Sequence, residues 1–144
     1  MNLKGWLAGL NSSFMFNLPS FEAWDGILIP FHCPEVPDFQ INRLFYICGV
    51  PDGAVRANHA CMNAAVILIA ASGSVKVSVE TENLTQEYSL DSNQLAVFIP
   101  EASWVRAYSF SENAVLLGLS DKKFTECDYL DDYSEYKTIV RKDI

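Results

Sequence analysis

The chain has 144 residues, of which 50% are hydrophobic and 19% charged, and its formal net charge is −8. That is the size of one domain around one core, large enough to need no disulfide framework. The acidic balance argues against nucleic-acid binding, and no run approaches the ~20 apolar residues of a membrane-spanning helix. The charged share lies below the usual quarter or so, which leaves room for a buried subunit interface. Four cysteines, Cys33, Cys48, Cys61 and Cys127, lack metal-type spacing. The apolar piece Trp6–Leu10 is too short for a signal peptide. The chain reads as a single, soluble, cytoplasmic domain over 1–144.

Taken in order, residues 1–20 hold two short apolar pieces, Trp6–Leu10 and Phe14–Leu18, read as a helical turn and an entering strand. Asp25-Gly26 predicts a turn before a strand at Ile27–Ile29. Pro30, Pro34 and Pro37 forbid regular structure across that stretch. From Phe39 the texture is β. Ile41–Val50 is rich in strand formers and ends at the turn Pro51-Asp52-Gly53. Strands follow at His59–Asn63, Val66–Ala71, Val75–Val79, Thr85–Leu90, Leu95–Ile99, Ser103–Phe110 and Ala114–Leu119. Nine to eleven short strands with turns every eight to twelve residues indicate an all-β sandwich or barrel. The tail, 121–144, interleaves Phe124, Tyr129, Tyr133 and Tyr136 with acids, a spacing expected for short helical turns packing aromatics on the barrel.

The stretch Gly53–Gly73 carries the clearest chemistry. On a strand, His59, Cys61 and Asn63 share one face, so an imidazole and a thiol stand side by side. Arg43, Arg56 and Arg106 are the arginines embedded in apolar sequence, and an arginine fork suits phosphate or carboxylate oxygens. Rim pairing with acids is the alternative for each.

Gly53-x5-His59-x-Cys61-x4-Val66-x6-Gly73 keeps the spacing of the first cupin motif, Gly-x5-His-x-His-x3–4-Glu-x6-Gly. Pro100-x-Ala102-x2-Val105-x3-Ser109 stands where the second motif has Pro-x-Gly-x2-His-x3-Asn. The four ligand places thus hold His59, Cys61, Val66 and Val105, too few donors for a divalent metal, and no metal or other cofactor is expected.

More narrowly, Arg43-Leu-Phe-Tyr46-Ile, the run from Gly53 to Ala60, Ser72–Val77, Trp104 and Asp128-Tyr129-x3-Tyr133 resemble the dTDP-4-keto-6-deoxyhexose 3,4-ketoisomerases, over roughly residues 25–137. The resemblance implies a double-stranded β-helix (the cupin jelly-roll barrel) with a short helical C-terminal tail. It also implies a homodimer exchanging an N-terminal arm within 1–24, and a metal-free nucleotide-sugar pocket inside the barrel. That family shuttles protons between adjacent carbons of a keto sugar through an enediol. It implies His59, Cys61 and Tyr46 as catalytic positions and Arg43, Arg56, Val66, Trp104 and Val105 as ligand contacts. The family's His-Ala-His-Lys reads here His59-Ala60-Cys61-Met62, its following glutamine is Val66, and the Gly-Gly or Gly-Phe before the histidine is Ala57-Asn58.

Two functions follow. One is a binding cupin that holds a dTDP-linked sugar or similar molecule without the usual base. The other is an active isomerase using His59, with Cys61 or Tyr46 moving the second proton.

Overall fold

The computed structural model of the chain describes residues 11–32, 36–82 and 84–142. The segment Trp6–Leu10, expected as a helical turn, lies outside the described residues. Two five-stranded antiparallel sheets face each other. One has the order β1 (Phe14–Asn17), β9 (Leu95–Ile99), β6 (Val66–Ser72), β11 (Val115–Ser120), β4 (Arg43–Cys48). The other runs β12 (Tyr129–Leu130), β5 (Arg56–Cys61), β10 (Ser103–Tyr108), β7 (Val75–Glu80), β8 (Thr85–Leu90). A separate hairpin joins β2 (Phe21–Ala23) to β3 (Gly26–Leu28). Consecutive strands such as β5 and β6 lie in different sheets, which is the jelly-roll path of a double-stranded β-helix.

Burial follows the pattern of each strand. In β7 the alternation is plain: Val75, Val77 and Val79 point into the barrel and Lys76 points out. They meet Leu68, Ala70, Val97, Ile99 and Leu116 of the opposite sheet in the main core. By contrast β9, and β6 from Val66 to Ala70, are apolar without alternation because both of their faces are covered. Their outer residues, Ile67, Ile69, Ala96 and Phe98, pack under Phe16, Leu18 and Val36 in a second cluster. A third cluster lies outside the other sheet, where Ala60 and Trp104 meet Tyr136 and Val140 of helix α1 (Tyr133–Lys142).

The expected strands are present within a residue or a few at each end, and β1 pairs with β9 of the same chain. Two strands, β2 and β12, were not anticipated. The tail also differs from a series of helical turns. It has one short 3-10 turn at Phe124–Glu126, then β12, then one ten-residue helix. Tyr129 is therefore a strand residue.

Glycine is required at two close approaches. A Cβ on Gly73, whose φ is +69°, would collide with Ser111 Oγ and lie 2.9 Å from Ala114 Cα. A Cβ on Gly118 would collide with the Phe45 ring, which lies flat against that backbone inside the barrel.

Candidate functional site

Between the sheets lies a cavity of about 330 Å³, toward the small end of the ~300–1,000 Å³ of small-molecule sites. Strand parity decides what reaches it. In β10, Ser103, Val105 and Ala107 line it, with Val66, Leu68, Ile99 and Leu116 from the opposite sheet forming an apolar wall. Arg43, Phe45 and Ile47 enter from β4, and Arg56 stands exposed at the rim.

Strand β5 reaches the cavity through a bulge. Val105 pairs with His59 and Arg106 with Ala57, which leaves Asn58 as the extra residue. Ala57 and Asn58 both take left-handed backbone, φ 63° and 61°. The bulge turns Asn58 outward, where its Oδ1 accepts a 3.2 Å bond from Trp104 Nε1. Ala57 and His59 are both left on the cavity wall.

The His59 ring meets the Tyr129 ring edge-on, with centroids 5.0 Å apart and planes at 75°. Its Nδ1 is buried with no hydrogen-bond partner. Burial holds the imidazole below its ordinary pKa of 6.5, and the positive charge of Arg43 adds to the effect. His59 is thus a neutral imidazole at pH 7, able to accept a proton.

Tyr129 arrives from β12, whose register sets it opposite Cys61. Arg43 Nη1 donates a 2.6 Å hydrogen bond to its hydroxyl. Burial raises the phenol's pKa, and the Arg43 bond opposes the rise. The Arg43 guanidinium itself is held over the rings of Phe45, at 4.8 Å, and Phe124, at 5.0 Å. Cys61 and Cys127 complete this end of the cavity. Cys61 Sγ donates to Asn63 Oδ1 at 3.5 Å. Burial, and the neighbouring Cys127 thiol after it, push the Cys61 thiol up to about 11.

The sequence-predicted residues divide as follows. Arg43, Arg56, His59, Cys61, Val66 and Val105 line one cavity. Trp104 does not: it alternates with inward Val105, is 3% exposed, and packs between Tyr133 and Tyr136 on the outer surface of its sheet. Tyr46 touches the cavity's edge, yet it alternates with inward Phe45 and Ile47, and its side chain is 65% exposed on the outer face. The proton-transfer position expected at Tyr46 thus falls at the cavity's edge, on the outer side of β4. Asn63 lies beyond the end of β5 in a turn rather than on its face. Sequence reasoning missed Tyr129 and Cys127 as cavity residues. The available signal was the Asp128-Tyr129-x3-Tyr133 motif, which was read as packing. Among the described residues, no three His, Cys, Asp or Glu side chains come together as a metal site.

A family profile described as "FdtA: WxcM-like, C-terminal" matches residues 11–141. The chain is 29% identical over 104 residues to the TDP-4-oxo-6-deoxy-alpha-D-glucose-3,4-oxoisomerase of Aneurinibacillus thermoaerophilus, covering 72% of this chain and 75% of that protein. It is similar in structure to a 3,4-ketoisomerase from Helicobacter canadensis, with TM-score 0.83 and 26% identity over 90% of this chain and 97% of the other. It is also similar to QdtA, a sugar 3,4-ketoisomerase from Thermoanaerobacterium thermosaccharolyticum solved in complex with TDP. There the TM-score is 0.84 and the identity 25%, over 92% of this chain and 96% of the other. A jelly-roll barrel with its cavity between the sheets, and a profile match over nearly the whole chain, make this chain a member of the FdtA family of ketoisomerase-like cupins.

Proposed function

We propose that the barrel binds a dTDP-linked deoxy sugar, with the sugar inside the cavity and the diphosphate at its mouth. The observation that carries this reading is the convergence of Arg43, Arg56, His59 and Tyr129 on one cavity whose remaining lining is mostly apolar. About 330 Å³ suits a sugar ring but not a whole nucleotide sugar, so the nucleotide lies outside, along the exposed Arg56. The walls formed by Val66, Leu68, Ile99, Val105 and Leu116 offer no hydrogen bonds from their side chains and suit the deoxygenated parts of such a sugar. The relatives named for TDP sugars, and the neighbour solved with TDP, support the same ligand class. Free thiols at Cys48, Cys61 and Cys127 fit a reducing cytoplasm.

In this reading Cys61, half-buried and held protonated, does not replace a second imidazole, and the protein is a binder rather than an efficient isomerase. A second reading, retained isomerisation, is favoured by one observation. The buried Nδ1 of His59 has no partner, and Tyr129 stands against the ring as a second proton-carrying group. Two measurements separate them. dTDP is expected to raise the melting temperature, and Arg56→Ala to reduce that rise. No rise with dTDP, UDP or GDP sugars removes the binding reading. TDP-4-keto-6-deoxyglucose in deuterated water is expected to keep its proton beside the ketone. Deuterium entering with the wild type but not with His59→Asn establishes the isomerase instead.

The dimer we propose uses surfaces this chain shows on itself. The β2–β3 hairpin exposes Phe21, Trp24, Ile27 and Leu28, with Trp24 97% exposed. The outer face of the β1-containing sheet has an apolar groove formed by Leu18, Ile29, Phe31, Ile41, Leu44 and Leu117. A hairpin from each copy laid on the other's groove satisfies twofold symmetry with one self-complementary surface.

A further inference from the structure

The cavity wall carries a chemistry that proton transfer at His59 and Tyr129 leaves unused. Cys61 closes β5, and the β5–β12 register sets it opposite Tyr129. Cys127 is two residues before Tyr129 in extended backbone, so it lies diagonally across from Cys61 and lines the same cavity. The segment that bears it is pinned on both sides. Asn63 Nδ2 donates to Glu126 O at 2.8 Å, and Asn63 Oδ1 accepts from the Asp128 amide at 2.8 Å. The Met62 amide donates to Asp128 O at 2.9 Å. These bonds fix the Cys127 segment against the end of β5, so that both thiols line the same end of the cavity. Cys48, by contrast, is exposed on the opposite surface.

We propose that Cys61 and Cys127 are a redox pair which a hydroperoxide links as a disulfide, narrowing the end of the cavity that holds His59 and Tyr129. The Cys127 sulfur attacks the peroxide O–O bond, takes one oxygen as a sulfenic acid and releases the alcohol, or water from hydrogen peroxide. The Cys61 sulfur then displaces that oxygen, which leaves as water, and the S–S bond forms. Two thiols and one hydroperoxide give one disulfide, one alcohol and one water; both sulfurs are oxidised and the peroxide is reduced. Burial raises the Cys61 pKa, so little of it is thiolate at neutral pH and it acts second, slowly. A thiol of high pKa is also a poor leaving group, so exchange that expels the Cys61 sulfur is slow.

Trypsin places all four cysteines in different peptides, with Cys61 in Ala57–Lys76 and Cys127 in Phe124–Lys137. The whole protein is treated with hydrogen peroxide, denatured, blocked with N-ethylmaleimide and digested without reductant. The expected product is those two peptides joined, with the titratable thiols falling by two and dithiothreitol restoring them. Cys61→Ser and Cys127→Ser are each expected to abolish the link; the wild-type measurement stands alone if either variant fails to fold. Both peptides recovered blocked, or either joined to the Cys48 peptide Leu44–Arg56, overturns the pairing. The narrowing of the cavity for a ligand rests on the nucleotide-sugar reading and has its own readout. The linked protein is expected to lose the dTDP-induced rise in melting temperature that the reduced protein shows. A link with the rise unchanged overturns the narrowing while leaving the pair in place.

Discussion

Ala57 carries backbone strain that a glycine would relieve. At φ 63° its Cβ crowds the backbone, a cost of about 1–2 kcal/mol, whereas Asn58 beside it belongs to the residue types that tolerate this region. Glycine also widens the unfolded ensemble, which costs about 0.4–1 kcal/mol. Relief exceeds that cost, so Ala57→Gly is expected to stabilise the protein by about 0.5–1 kcal/mol, measured by urea unfolding. His59 gives a second expectation. Its folded pKa is depressed, so the unfolded chain binds the proton more readily. The stability it contributes is present above pH 6.5 and is lost as pH falls from 6.5 toward the folded value. NMR titration of its ring should show a midpoint below 6.5, and a midpoint above it would mean that an anion outweighs burial. At this scale the sequence was legible where a motif sets the parity of a strand: Arg43, His59, Cys61, Val66 and Val105 all line the cavity. It was not legible in Leu44-Phe45-Tyr46-Ile47, where every residue suits either face. A slip of one position turns Phe45 inward and Tyr46 outward.

Helix α1 holds the site's outer support. Asp132 Oδ1 caps it by accepting from the Glu135 amide at 3.1 Å, the spacing of an N-cap to its third helical residue. The helix then presents Tyr136, fully buried against Trp104, with its hydroxyl 2.8 Å from Ala102 O and 3.1 Å from Glu80 O. Ala102 is itself left-handed, at φ 62°, and its amide donates to Cys61 O, so this hydroxyl braces the turn that positions Cys61. Tyr136→Phe strands a carbonyl and is expected to cost about 1–2 kcal/mol in chemical denaturation. An unchanged midpoint would mean that water replaces the phenol. Period-two patterning revealed most of the strands. The tail misled because Tyr129, Tyr133 and Tyr136 have helical spacing across a strand–helix junction, and only pairing with β5 makes Tyr129 a strand residue.

For the whole molecule, length and composition were read as one domain around one core. Among the described residues the apolar side chains instead fill three clusters, one inside and two outside the sheets. What composition could not indicate is which apolar residues remain uncovered, because that depends on which strand faces lie outside. The exposed hairpin sets a test at this scale. Trp24→Ser with Leu28→Asp is expected to convert a dimer to a monomer in light scattering, while the dTDP-induced stabilisation persists. A wild-type monomer at all concentrations removes the dimer. One interior contact has a consequence of a different kind. Phe45 lies flat on the bare backbone of Gly118, in the space where any other residue would carry its first side-chain carbon. A single added methyl at 118 would have to push that ring off the backbone, and because Phe45 lines the cavity, the space inside would change shape with no charge or hydrogen bond altered.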